Sequence, residues 1–154
     1  MDNSKILLPY NFTSYDKKAL DFVIRTFAGR KDVDITLFNA YTPAPPIDMR
    51  GSPIMEQMKD TLSYLSQRVN EQDDELKAVK NHLLEKGFSE DKIHIVFEPK
   101  KKDVAGDIID LMQSGRFNML VLNRKPAKIA RFFTGSVSSK AVSALKDVTI
   151  CIVS

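Results

Sequence analysis

Five short apolar runs punctuate the chain, each separated from the next by enough residues for a helix. The first opens KILLPYNFT at 5–13; the others are VDITLFNA at 33–40, KIHIVF at 92–97, NMLVL at 118–122 and VTICIV at 148–153. A continuous apolar run marks a strand covered on both faces, which is the setting of a parallel sheet. KIHIVF alternates, as a strand with one more open face does. The resulting order, β-α-β-α-β-α-β-loop-α-β, predicts an α/β fold: an open parallel sheet with helices on both faces.

The intervening segments carry helical periodicity. Thr13 or Ser14 can cap the first helix, because a side-chain oxygen there satisfies an otherwise unpaired helix N–H. Ala19, Leu20, Val23, Ile24 and Phe27 then form one stripe, and Gly29 is a natural stop. The proline-rich YTPAPPIDMRGSP reads as a loop, with Ser52-Pro53 as the cap and first residue of the second helix. From Met55 to Leu83 apolar residues recur at 3-4 spacing, interrupted where Gln72 takes a seam position. An interrupted seam without a repeat elsewhere favours a helix covering the sheet over a coiled coil. Such a helix runs to about 50 Å, against about 20 Å for a six-residue strand, so NEQDDE at 70–75 should project past the sheet or mark a kink. Val104, Ile108, Ile109 and Met112 stripe a third helix, and GSVSSKAVSALKD forms a fourth.

With 154 residues, 43% hydrophobic and 28% charged, the chain reads as a single globular domain over 1–154. A net charge of +3 is too small to argue for nucleic acid, and no apolar stretch is long enough to span a membrane. The lone Cys151 excludes an internal disulfide and, set in VTICIV, reads as a buried structural thiol. The N-terminal run ILL is too short for a signal peptide, so the expected compartment is the cytoplasm.

Ligands of an open parallel sheet sit beyond the carboxyl ends of the strands, where the strand order reverses. The segments that end there are PYNFTS at 9–14, FNAY at 38–41 and NRKPAKIARFFTGSVSSKAV at 123–142. Together KILLPYNFTSYDKKALDFV, TLFNAYTP, MLVLN and FTGSVSSKAVSALKDVTICIVS resemble the universal stress protein family over nearly the whole chain. The resemblance implies a Rossmann-like five-stranded sheet of order 3-2-1-4-5, with its crevice between the first and fourth strands. It also implies a homodimer formed by pairing the last strand, 148–153. A bare apolar edge there would invite aggregation unless paired or covered.

Members of that family that bind ATP carry an Asp after the first strand and a G-x2-G-x9-G-[ST] loop. Carried onto this chain, the acid becomes Asn11, flanked by Pro9, Tyr10 and Thr13, and the small apolar position beside the base becomes Ala40. Gly135, Ser136 and Val137 match the closing Gly-Ser, whose backbone N–H groups and helix dipole would favour a phosphate. The first two glycines are absent. Counted from the strand they are Asn123 and Pro126; counted back from Gly135 they are Leu122 and Lys125. Glycine lets the backbone approach a pyrophosphate or adopt positive φ, whereas proline cannot and lacks an N–H.

Arg124 and Lys125 stand at the entrance of this loop and could bind phosphate through their side chains. Lys128 and Arg131 read as solvent-facing, with Ile129, Phe132 and Phe133 packing a helical turn. Lys100, Lys101 and Lys102 follow the strand that the implied order puts at the far edge, away from the crevice. His82 and His94 have no catalytic or metal-spaced partner in sequence, and Asp73, Asp74 and Glu75 fan out around their helix. Neither a G-x-S-x-G elbow nor a G-x4-G-K-[ST] loop is present, so no metal site and no catalytic residue is expected. The expectation is a non-catalytic, stress-response or regulatory homodimer whose crevice is a degenerate site for a nucleotide or small anion. One alternative is a working ATP binder with slow hydrolysis; another is a scaffold recruiting partners through the helix near 70–75.

Overall fold

A computed structural model of the chain describes residues 3–43, 54–124 and 137–154, with backbone alone over 54–58. Five strands are found: β1 (Ser4–Pro9), β2 (Val33–Tyr41), β3 (Ile93–Pro99), β4 (Met119–Asn123) and β5 (Thr149–Val153). The helices are α1 (Ser14–Phe27), α2 (Ile54–Glu85), α3 (Val104–Ser114) and α4 (Val137–Ala144). The sheet runs β3-β2-β1-β4-β5 with every neighbouring pair parallel, as expected.

Alternation along the strands sorts the core into two layers. Ile6 and Leu8 of β1, with Ile35 and Leu37 of β2, pack beneath α1 and α2. Leu7, Phe38, Leu120 and Leu122 pack beneath α3 and α4. Ile6, Leu7 and Leu8 are all fully buried, which explains why β1 reads as an unbroken apolar run. Each such side chain contributes about 1.5–3 kcal/mol by leaving water.

Thr13 occupies the N-cap of α1, and Asp16 at the third helical position completes a capping box. The predicted stripe is buried at Ala19, Leu20, Val23 and Phe27, with Ile24 half-buried. Gly29 follows at φ +84° with open space around its Cβ position, so backbone conformation rather than crowding calls for glycine there.

Helix α2 is continuous over 32 residues, so NEQDDE marks no break. That stretch is instead a junction. After it, Leu76, Val79 and Leu83 are buried against the sheet. Before it, Leu62, Leu65 and Val69 are only half-buried and Tyr64 is 57% exposed. The half that precedes 70–75 therefore extends beyond the carboxyl edge of the sheet.

Cys151 is half-buried rather than buried, because β5 is an edge strand; burial still pushes its thiol above the usual range. His82 is likewise half-buried, on the side of α2 that faces α1. The expected Ser52-Pro53 start of α2 and the turn built on Ile129, Phe132 and Phe133 lie outside the described residues.

Candidate functional site

The chain leaves β1 toward β2 and β3, then crosses to β4 on the other side, so the order reverses between β1 and β4. Past this point stand Pro9 of β1, Asn123 of β4 and the segment that joins β1 to α1. In that segment Phe12 has φ +62°, a conformation uncommon for a bulky residue and typical of binding sites and tight turns. Its ring meets Tyr10 edge to face at 5.4 Å.

Asp16 is the buried centre of the reversal point, with no solvent exposure. One carboxylate oxygen accepts from the Thr13 backbone N–H at 2.8 Å and from the Thr13 hydroxyl at 2.7 Å. The other accepts from the side-chain amide of Asn123. The next backbone N–H, that of Arg124, donates to the Val153 carbonyl at 2.7 Å. The end of β4 is thus hydrogen-bonded to α1 on one side and β5 on the other.

On the β2 side, a cavity of about 280 Å³ opens between the strand ends and the free-standing half of α2. Asn11, Asn39 and Ala40 line it from the sheet, and Arg68 and Gln72 from the helix. Asn39 is 7% exposed; its amide donates to the Tyr10 carbonyl at 2.8 Å, while its Oδ1 is buried without a hydrogen-bond partner among the described residues. Arg68 and the amides of Asn11 and Gln72 can supply donors, and the aromatic rings of Tyr41 and Tyr64 supply flat surface.

The expected site residues fall into two groups. Asn11 and Ala40 share the cavity. Thr13 and Asn123 meet on Asp16, and Arg124 is tied by its backbone to β5. Pro9 and Tyr10 are buried between the groups, with Tyr10 donating its N–H to Phe38. Val137 begins α4 and packs into the layer under α3 and α4. Lys125, Gly135 and Ser136 lie outside the described residues, as do Pro126, Lys128 and Arg131.

The edge position of β3 keeps the 100–102 lysines away from β1 and β4, as anticipated. The N–H groups of Lys101 and Lys102 donate to Asp107 instead. His94 has Asp34 within 3.6 Å. Among the described residues no cluster of three His, Cys, Asp or Glu side chains could hold a metal ion.

Sequence reasoning passed over Asp16, although T-x-x-D after a strand is a capping-box signature. It also passed over Asn39, a lone amide in an apolar run. Arg68 had no local signal, and Gln72 showed only as a break in the apolar seam, because helix periodicity does not say which face overhangs the strand ends.

An open five-stranded parallel sheet with a crevice at its order reversal defines a Rossmann-like α/β domain. Residues 3–151 match the universal stress protein family model, and the chain belongs to that family. Solved structures share the fold at low identity. The universal stress protein UspA from Lactobacillus plantarum aligns with a TM-score of 0.69 and 13% identity, over 100% of this chain and 99% of that one. A universal stress protein in complex with cAMP aligns at 0.64 and 15%, over 100% and 98%. A family protein from Arabidopsis thaliana with AMP bound aligns at 0.64 and 16%, over 97% and 90%. No curated protein sequence matches the chain significantly. Among the described residues no helix is long and apolar enough to cross a membrane.

Proposed function

We propose that this chain is a non-catalytic, regulatory universal stress protein, acting as a homodimer, whose crevice retains a base-binding end and has lost the triphosphate cradle. The observation that carries this reading is the closed end of β4. Where a glycine loop would offer free backbone N–H groups, the Asn123 side chain is held by Asp16 and the Arg124 N–H is held by Val153. The Asp16 carboxylate beside them is fully buried and already accepts from Thr13 and Asn123. The base end is open: Asn11 and Ala40 line the cavity beside β2. Similar folds hold cAMP and AMP, which supports a mononucleotide-sized occupant.

On this reading the extra phosphates of ATP add no affinity. AMP and ATP at about 1 mM should raise the melting temperature equally, by no more than about 1–2 °C. Equilibrium dialysis should give dissociation constants within about threefold of each other. ATP binding more than about tenfold tighter than AMP, and abolished by Gly135→Val, would restore the ATP-binding alternative and overturn the proposal.

A further inference from the structure

We propose that Asn39 selects the occupant of the strand-end cavity through its unpartnered oxygen, admitting a mononucleotide whose base carries an amino group. The assignment rests on the mononucleotide reading above and adds which kind of base the site takes. Ile35 and Leu37 alternate onto the face of β2 that α1 and α2 cover, and Asn39 continues the alternation. An amide therefore stands where the pattern calls for an apolar side chain, and it is 7% exposed.

The amide is fixed at one end. Its Nδ2 donates to the Tyr10 carbonyl at 2.8 Å, and a carbonyl only accepts, which settles which end of the amide is nitrogen. Asn39 lines the cavity and Tyr10 does not, so the nitrogen is turned away from the cavity and the oxygen is the end left to it. That Oδ1 has no hydrogen-bond partner among the described residues, and solvent does not reach it. The other polar groups of the wall differ: Asn11 and Arg68 are exposed and Gln72 is half-buried, so water can serve them. A buried acceptor without a donor is costly, and a ligand N–H that meets it recovers that cost. A donor reaches it by entering between the strand ends and the long, jointed side chains of Arg68 and Gln72. Because Nδ2 is already engaged, Asn39 offers the ligand an acceptor and no donor. An amino group on the base satisfies it, whereas a base without N–H hydrogens leaves it orphaned. Arg68 adds positive charge to the same wall, in keeping with a phosphate-bearing occupant.

AMP and purine riboside 5′-monophosphate differ by that amino group alone, and titrating each into the protein by NMR tests the assignment. AMP should shift the Asn39 side-chain amide signals saturably, and the purine analogue should bind at least about fivefold more weakly. In Asn39→Leu, AMP should weaken to the level of the analogue, whose own affinity should stay within about twofold. Equal affinities in the wild-type protein overturn the assignment and leave the mononucleotide reading standing, and this arm does not depend on the variant folding. A folded Asn39→Leu protein that still prefers AMP also overturns it, as do saturable AMP shifts that leave the Asn39 amide unmoved. Absence of saturable AMP binding overturns the mononucleotide reading and the assignment together.

Discussion

Asp16 and Asn123 stand 107 positions apart in sequence and share a hydrogen bond at the point where the sheet order reverses. Asp16 is fully buried, so its carboxylate depends on the donors around it, two from Thr13 and one from Asn123. A buried carboxylate short of a donor loses charge-assisted hydrogen bonding and cannot recover it from water. Asn123→Ala should therefore destabilise the fold by about 1–3 kcal/mol in urea unfolding. A loss under about 0.5 kcal/mol would mean that the contact contributes little. Half of this arrangement is legible locally: Thr13 and Asp16 are three residues apart and spell a capping box. The other half is not, because no local pattern tells an amide at the end of β4 which helix it will meet.

Helix α2 has two halves with different work. Its apolar spacing resumes after the interruption at Gln72, yet Leu83 is fully buried while Leu62 is half-buried. The cause is geometric: at 1.5 Å per residue, 32 residues span about 48 Å, longer than the strands they cover. The surplus overhangs the carboxyl ends, where Arg68 and Gln72 become walls of a cavity. Leu83→Ala should cost about 2–5 kcal/mol and Leu62→Ala less than about 1 kcal/mol, measured by urea denaturation of each variant. Equal costs would show that the overhanging half is docked as firmly as the rest. A period of 3.6 reveals that one face is apolar, but not how much of that face has a sheet beneath it.

At the scale of the molecule, β5 is one of the two edge strands of the sheet, opposite β3. Its Ile152 is 44% exposed, and Val142 of the adjacent α4 is 57% exposed. An exposed apolar edge with free backbone groups is normally paired or covered, which motivates the proposed homodimer through 148–153. Ile152→Lys should leave the monomer fold intact and shift the sedimenting species from dimer to monomer. A variant that still sediments as a dimer would move the interface elsewhere, and a wild-type monomer would remove it.

The amino-acid order by itself determined the element sequence, the parallel sheet and the family, since all three rest on local periodicity and contiguous motifs. It also shows, letter by letter, that no glycine stands between Gly115 and Gly135. Only the tertiary structure decided that Asn123 bonds Asp16, that the Arg124 N–H is taken by Val153, and that Asn39 lines a cavity beside α2. Those facts depend on where distant side chains meet once the core has set the separation and tilt of the elements. Local spacing specifies which face of an element is buried; packing against the other elements specifies what that face touches.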